Sequence, residues 1–139
     1  MSNLTRFGIS IDDELLQTFD QLIEKAGYQS RSEAIRDLIR NYLVQSQWED
    51  SQNPVVGTIT LVYDHHAVDV EHQLTHLQHE HIGQICASTH VHLDQRNCLE
   101  VIIVRGPAQM VRSLADHLIA QRGVKHGHLT CTTTGAALT

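Results

Sequence analysis

Three residues stand out for chemistry they could share: His90, His92 and Cys98, within the run STHVHLDQRNCLEV. Two histidines two apart on a strand project to the same face. A cysteine brought back beside them by a turn would complete a donor set of imidazoles and a thiolate. Such a set suits Zn, Cu or Ni. Taken alone, the H-x-H pattern fits equally well a polar sheet face with two surface histidines. The four turn residues DQRN leave open whether Cys98 faces the same side.

Histidine is in excess, with eleven residues clustered in 65–92 and 117–128 and none before His65. They form no uninterrupted run, so they do not read as a tag. His72, His76 and His79 fall at i, i+4 and i+7 of a helix predicted over 68–82. Val70, Leu74 and Leu77 form the apolar stripe of that helix and should face a sheet, which puts the three histidines on the opposite side. From there a histidine points away from its own sheet. It is placed to meet His90 and His92 of a second chain rather than its own. Each of the three, taken singly, also fits a solvated helix face.

The elements that must position these groups follow from periodicity. VVGTITLVY over 55–63 is a β-rich run. Two more β-like runs cover 84–93 and 98–105, on either side of the turn. Pro107 starts a second helix, which runs through Met110, Val111, Leu114, Leu118 and Ile119 to Gly123. Residues 124–133 form the last strand. The order β-α-β-β-α-β is ferredoxin-like, a four-stranded sheet with its helices on one face.

Upstream, TRFGISI over 5–11 alternates strictly, with Phe7, Ile9 and Ile11 on one side and Arg6, Gly8 and Ser10 on the other. Asp12 can cap a helix carrying Leu15, Leu16, Phe19, Leu22, Ile23 and Ala26, and Gly27 is placed to end it. Ser30 and Glu33 form a capping box for a second helix with Ala34, Ile35, Leu38, Ile39, Tyr42 and Leu43 on its apolar side. One strand and two helices in about 45 residues cannot build a core alone. The strand would also lack a hydrogen-bonding partner. An identical strand and two more helices from a second chain answer both needs. The reading is α+β, with residues 1–46 as a strand-helix-helix unit, 47–54 as a polar linker and 55–139 as the βαββαβ domain.

Composition sets the limits. Apolar residues make up 41% and aromatics 4%, so the core must be mostly Ile, Leu and Val. Cys86, Cys98 and Cys131 are too few, and odd in number, for a disulfide framework. The N-terminus has no apolar secretory region, and no run approaches a membrane span, so a cytoplasmic protein is expected. The net charge of −6 lacks the basic footprint usual in nucleic-acid binders, and residues 1–44 hold five cations against seven acids. DNA binding would therefore rest on where a few cations sit.

With RSEAIRDLIR, the helix histidines before HVH, CLEV and AQRGVKHGHL all in one chain, nearly the whole sequence resembles the nickel-responsive transcriptional regulators of the NikR type. The resemblance implies a ribbon-helix-helix arm that reads operator DNA and an ACT-type domain that assembles a homotetramer. It implies one Ni(II) per chain in a planar site, with His90, His92 and Cys98 from one chain and His79 from another. Planar N and S coordination favours Ni(II) or Cu(II) over tetrahedral Zn(II). It implies that Arg6, Gly8 and Ser10 enter the major groove, although Gly8 departs from the larger polar residue usual there. Arg31 would meet a DNA phosphate at a helix N-terminus. Glu33 and Asp37 would hold a second cation, and Tyr63 and Glu100 would hydrogen-bond ligand histidines.

Other readings keep the architecture and change the ligand: a copper or zinc sensor, or an ACT-type module for a small molecule. A metallohydrolase is disfavoured, because four protein ligands leave a planar ion no open position. The two unmet needs, of the 5–11 strand and of the outward histidines, predict a dimer of dimers. Light scattering should give a mass near four times 15.6 kDa. A monomer at micromolar concentration would contradict both arguments.

Overall fold

A computed structural model of the chain describes residues 3–67 and 70–139. It divides into two compact units, Met1–Arg40 and Asn41–Thr139.

In the first unit, α1 spans Asp13–Lys25 and starts where Asp12 Oδ1 accepts from the backbone N of Glu14 at 2.9 Å and of Leu15 at 3.4 Å. This satisfies amide donors that the first turn leaves without helical partners. The helix stops at Gly27, whose φ of +88° costs glycine little. Helix α2 spans Arg31–Glu49. Ser30 Oγ accepts from Glu33 N at 3.2 Å, while Glu33 Oε2 accepts from Gln29 N at 3.3 Å. The capping box thus closes one residue upstream of the Ser30 amide that the motif targets.

The strand expected over 5–11 is not formed; residues 3–12 have no regular secondary structure. A single extended segment has no ladder partner within its unit, which is the need already apparent from sequence. Apolar residues remain uncovered to match: Phe7, Ile9, Leu15, Leu22 and Leu38 are 57–70% exposed. Among the described residues of this unit, Ala34 is the one buried hydrophobic.

Helix α2 runs through the start of the linker expected over 47–54. Its last residues, QSQWE, contain no breaker, and Trp48 is anchored in the second unit's core. The indole Nε1 donates to the Thr132 carbonyl at 2.7 Å, and the Arg112 guanidinium lies 5.1 Å over the ring. The polar turn is shortened to 50–53. Its Asn53 and Ser51 carbonyls each accept at 3.0 Å, from Ala108 N and Gln109 N. Pro107 therefore sits one residue before the helix it introduces, as its N-cap.

The second unit contains β1 Pro54–Asp64, α3 Val70–Glu80, β2 Ile85–His92, β3 Asn97–Pro107, α4 Ala108–Ile119 and β4 Val124–Thr132. The sheet order is β2-β3-β1-β4 with every neighbouring pair antiparallel. This is the expected ferredoxin-like arrangement. Positions 68 and 69 of the expected first helix lie outside the described residues, and its other end falls at Glu80 rather than 82. Alternation buries Val55, Ile59, Leu61 and Tyr63 of β1 beside Cys98, Ile102 and Val104 of β3. Val70 and Leu74 of α3, with Val111, Leu114 and Leu118 of α4, complete an almost wholly aliphatic core. Among the described residues, no helix is long and apolar enough to cross a membrane.

β4 lies close against α4 at Gly127. A Cβ there would stand 2.5 Å from Ile119 Cγ1 and 3.1 Å from Ile119 Cβ. A β-branched side chain at a helix end has little rotamer freedom to yield. Gly127→Ala should therefore destabilise the protein by about 1–3 kcal/mol, the usual range for overpacking. Thermal unfolding followed by circular dichroism checks this; an unchanged midpoint would show that β4 and α4 separate at no cost.

Candidate metal centre

The site lies at the end of the sheet where β1 stops, β2 turns and β3 begins. Register places the groups. His92 pairs with Cys98, and Tyr63 pairs with Cys98 from the other side, so the three share one row on one face. His90, Glu100 and Leu61 form the next row on the same face. The turn that left the facing of Cys98 open in the sequence therefore brings it back beside the histidines. Cys98 Sγ is 3.3 Å from His92 Nδ1, and the His90 and His92 rings are 5.0 Å apart.

The turn is held by Asp94. Its Oδ1 accepts from the backbone N of Arg96 and of Asn97, both at 2.7 Å, and Oδ2 accepts from Asn97 Nδ2 at 2.9 Å. These donors hold its carboxyl down at about 2. Lys125 Nζ adds a bond to Asn97 Oδ1 at 2.6 Å, tying the turn to β4.

The flanking groups divide differently from expectation. Tyr63 does meet one of the candidate histidines, with its hydroxyl 3.4 Å from His90 Nε2. Burial first, then the negative charges of Glu100 and Glu71, push the phenol pKa up, so it stays protonated. Glu100 meets none of the histidines. Its Oε1 accepts from Ser88 Oγ at 2.8 Å and from Gln78 Nε2 at 3.0 Å, which ties β2, β3 and α3 together beneath the site.

His79 stays apart from this cluster. It is exposed on α3, lining a shallow groove with Thr75, Gln78, Ile82 and Ile85. His72 and His76 are exposed too, with His76 Nε2 3.3 Å from Glu80 Oε1. The apolar stripe Val70, Leu74 and Leu77 faces the core as expected.

Two further groups, His65 and Glu71, stand beside the cluster without a motif in the sequence to mark them. His65 Nδ1 lies 2.9 Å from Glu71 Oε1, and its ring stands edge-on to His92 at 5.2 Å. Only the register reveals this: Asp64 pairs with Asn97, so the residue after β1 arrives beside Cys98. His66 turns away to the Gln95 carbonyl at 2.8 Å. His126 and His128 are exposed on β4, opposite Val62 and Thr60.

In the first unit Arg6, Gly8 and Ser10 are exposed. Arg31 is not idle; it grips Asp20 with two 2.8 Å bonds, which raise the arginine's pKa and lower the carboxyl's. Asp37 accepts from Tyr28 Oη at 2.7 Å and Arg40 Nη1 at 2.9 Å. Its carboxyl and that of Glu33 thus bind different partners.

Comparison with known proteins agrees with this division. Residues 56–132 match the NikR C-terminal nickel-binding domain, and residues 5–46 match the ribbon-helix-helix proteins of the copG family. A nickel-responsive regulator of Nitratidesulfovibrio vulgaris is 55% identical over 139 residues, covering 100% of both chains. The chain belongs to the nickel-responsive regulator family. Another such regulator, from Geobacter metallireducens, is 56% identical over 99% of each chain. One from Thermococcus onnurineus is 51% identical over 97% of this chain and 98% of its own. A solved structure of an uncharacterized protein of Thermotoga maritima shares the fold alone. Its TM-score is 0.51 at 13% identity, over 56% of this chain and 96% of that one.

For a chain of this family the donor chemistry fits a borderline transition metal. Two imidazoles and a cysteine sulfur converge at a partly covered edge, and a further imidazole is exposed on α3. The thiol is held protonated in the metal-free protein. Burial raises the Cys98 pKa first, and the carboxylates of Glu71, Asp94 and Glu100 add to it. Cys98 should therefore alkylate far more slowly than exposed Cys86 and Cys131 near neutral pH, and catch up as pH rises. Mass mapping after timed iodoacetamide pulses measures this; a Cys98 that reacts first at pH 7 would contradict the burial argument.

Proposed function

We propose that the chain is a nickel-dependent DNA-binding transcriptional regulator, a repressor of nickel uptake or related metal-homeostasis genes. It acts as a homotetramer in the cytoplasm, with one Ni(II) per chain. As a member of a family of regulators it is not an enzyme. The observation that carries the reading is the juxtaposition of His92 Nδ1 and Cys98 Sγ at 3.3 Å with His90 alongside. Donors on a common ion, at about 2.3 Å for sulfur and 2.0–2.1 Å for nitrogen, stand ~3.1 Å apart at a right angle and ~3.5 Å at a tetrahedral one. The pair is preset for coordination.

The fourth ligand in this reading is His79 from another chain. Its exposure on α3, away from its own cluster, supports that assignment. A bound ion would then supply a link between chains, and the metal's effect on DNA follows only if two arrangements of the assembly bind it unequally. DNA contact falls to Arg6, Gly8, Ser10 and Arg31. Gly8 offers no side chain for base readout. Arg31, whose guanidinium is already paired with Asp20, would bring less net charge to a phosphate than a free arginine. With few cations, non-specific affinity should be low and its salt dependence shallow. Glu33 and Asp37 would serve a second cation only by releasing the hydrogen bonds they now accept.

The decisive experiment pairs metal and DNA readouts. One equivalent of Ni(II) per chain should produce a thiolate-to-nickel absorption band in the near ultraviolet, absent in Cys98→Ala. DNA selected from a random duplex pool by the nickel-loaded protein should bind about 5–150-fold more tightly with nickel than without, by fluorescence anisotropy. His79→Ala should lose most of that gain, and Arg6→Ala should lose DNA affinity while keeping the band. A Cys98→Ala protein with an unchanged nickel spectrum, or a full nickel response in His79→Ala, contradicts the ligand set.

A further inference from the structure

Away from the metal cluster, the second unit holds a groove of about 470 Å³ between the end of α2 and the exposed side of α4. That volume lies within the roughly 300–1,000 Å³ of small-molecule sites. Trp48 forms its floor and is held at three points. The indole Nε1 donates to the Thr132 carbonyl at 2.7 Å, and the Arg112 guanidinium lies 5.1 Å over the ring. At the far end of the ring, a Cβ on Gly57 would stand 3.2 Å from Trp48 Cη2, so glycine there leaves the indole its room.

Helix α4 supplies one wall. Gln109, Arg112, Ser113, Asp116 and His117 fall at i, i+3, i+4, i+7 and i+8, on the side opposite buried Val111, Leu114 and Leu118. Glu49, the last residue of α2, lines the other side. The charges of this groove are unspent. Among the described residues, the Arg112 guanidinium has its ring contact and no hydrogen bond or ion pair, and the carboxylates of Glu49 and Asp116 have neither. Arg112 and Asp116 stand one turn apart, the spacing that ordinarily pairs them, yet the guanidinium stays on the indole. Asp116 also sits in the last turn of α4, where the helix end is itself negative and a carboxylate is disfavoured. No cation offsets that. Nor is this a metal site, because among the described residues the sets of three donors within reach of one ion lie elsewhere.

A ligand that answers both signs of charge carries an anion and a cation a few bonds apart. We infer that the groove binds a free α-amino acid as its zwitterion. The carboxylate goes to the planar fork of Arg112, with the Ser113 hydroxyl and the Gln109 amide as further donors towards the positive start of α4. The ammonium goes to Asp116 and Glu49. A carboxylate alone would enter beside two acids that repel it, and an amine alone would meet Arg112. The zwitterion brings no net charge and satisfies both ends. Bound there, it joins the last turn of α2 to α4 beside Trp48.

Trp48 is the one tryptophan of the chain, so its emission reports on this groove. The metal-free, full-length protein is titrated with each common L-α-amino acid, followed by emission and by calorimetry, with calorimetry alone for the aromatic ones. At least one should bind saturably with a Kd of ~1 mM or below. Acetate and methylamine should not bind at the same concentrations. Asp116→Asn, which leaves the Trp48–Arg112 stack in place, should weaken binding by at least ~10-fold, the cost of one hydrogen bond to a charged group. Arg112→Gln should do the same by calorimetry. Both variants should keep the wild-type near-ultraviolet circular dichroism, which shows that the fold is intact. Absence of saturable binding by every amino acid would overturn the inference. Acetate that binds as well as the amino acid would overturn it too, by reducing the groove to a plain anion contact. Wild-type affinity in Asp116→Asn would do the same, by leaving the ammonium without its partner.

Discussion

The pairing of His92 with Cys98 across β2 and β3 is the constraint on which the rest of the site depends. Side chains alternate along a strand, so a slip of one residue would send His90 and His92 to the face opposite Cys98 and Tyr63. The hairpin could tolerate no such slip and still bind a metal. Its turn is correspondingly overdetermined, with three hydrogen bonds converging on one Asp94 carboxylate and a lysine from β4 clamping Asn97. On the other flank, the central position of β1 fixes β3 over eleven paired residues. The donors therefore inherit their spacing from backbone ladders, and no flexible loop has to find them.

The electrostatics of the site follow from that placement. Cys98 belongs to the core as much as to the cluster, and three carboxylates surround it at longer range, so a proton is kept on sulfur until something positive displaces it. Glu100 is the one buried charged or polar side chain among the described residues, and its carboxyl accepts from two neutral donors, Ser88 of β2 and Gln78 of α3. It therefore holds α3 against the sheet beneath the site. A cation arriving there meets a favourable field and a histidine edge exposed enough to admit it.

Much of this was legible in the residues, for reasons that can be named. The β-branched residues of VVGTITLVY and the helical spacing of Val70, Leu74 and Leu77 carry their own structural signal, so β1 and the facing of α3 could be read. The outward direction of His79 followed from the same stripe. Three things could not be read. Whether Cys98 faced His92 depended on turn geometry that sequence spacing does not determine. The nearness of His65 depended on the Asp64–Asn97 pairing, a contact across 33 positions of chain. The extent of α2 was misjudged because QSQWE looks like a polar linker; its single Trp48 outweighs its neighbours by packing under Arg112 and bonding Thr132. The absent 5–11 ladder is a different matter. Its residues carry the strand pattern, and within one chain that pattern has no partner to pair with.

That incompleteness of the first unit has a genetic consequence. Among its described residues this segment has a single buried hydrophobic, Ala34, too little core to fold by itself, so in the proposed homo-oligomer its folding and its association would be one event. The amount of working DNA-reading unit would then rise more steeply than the amount of chain, because in that proposal each requires two copies. A defective chain that can still pair draws a sound copy into a useless assembly. Mutations confined to the metal cluster should therefore behave as dominant when both forms are made in one cell, whereas mutations that prevent the arms from pairing should be recessive and silent.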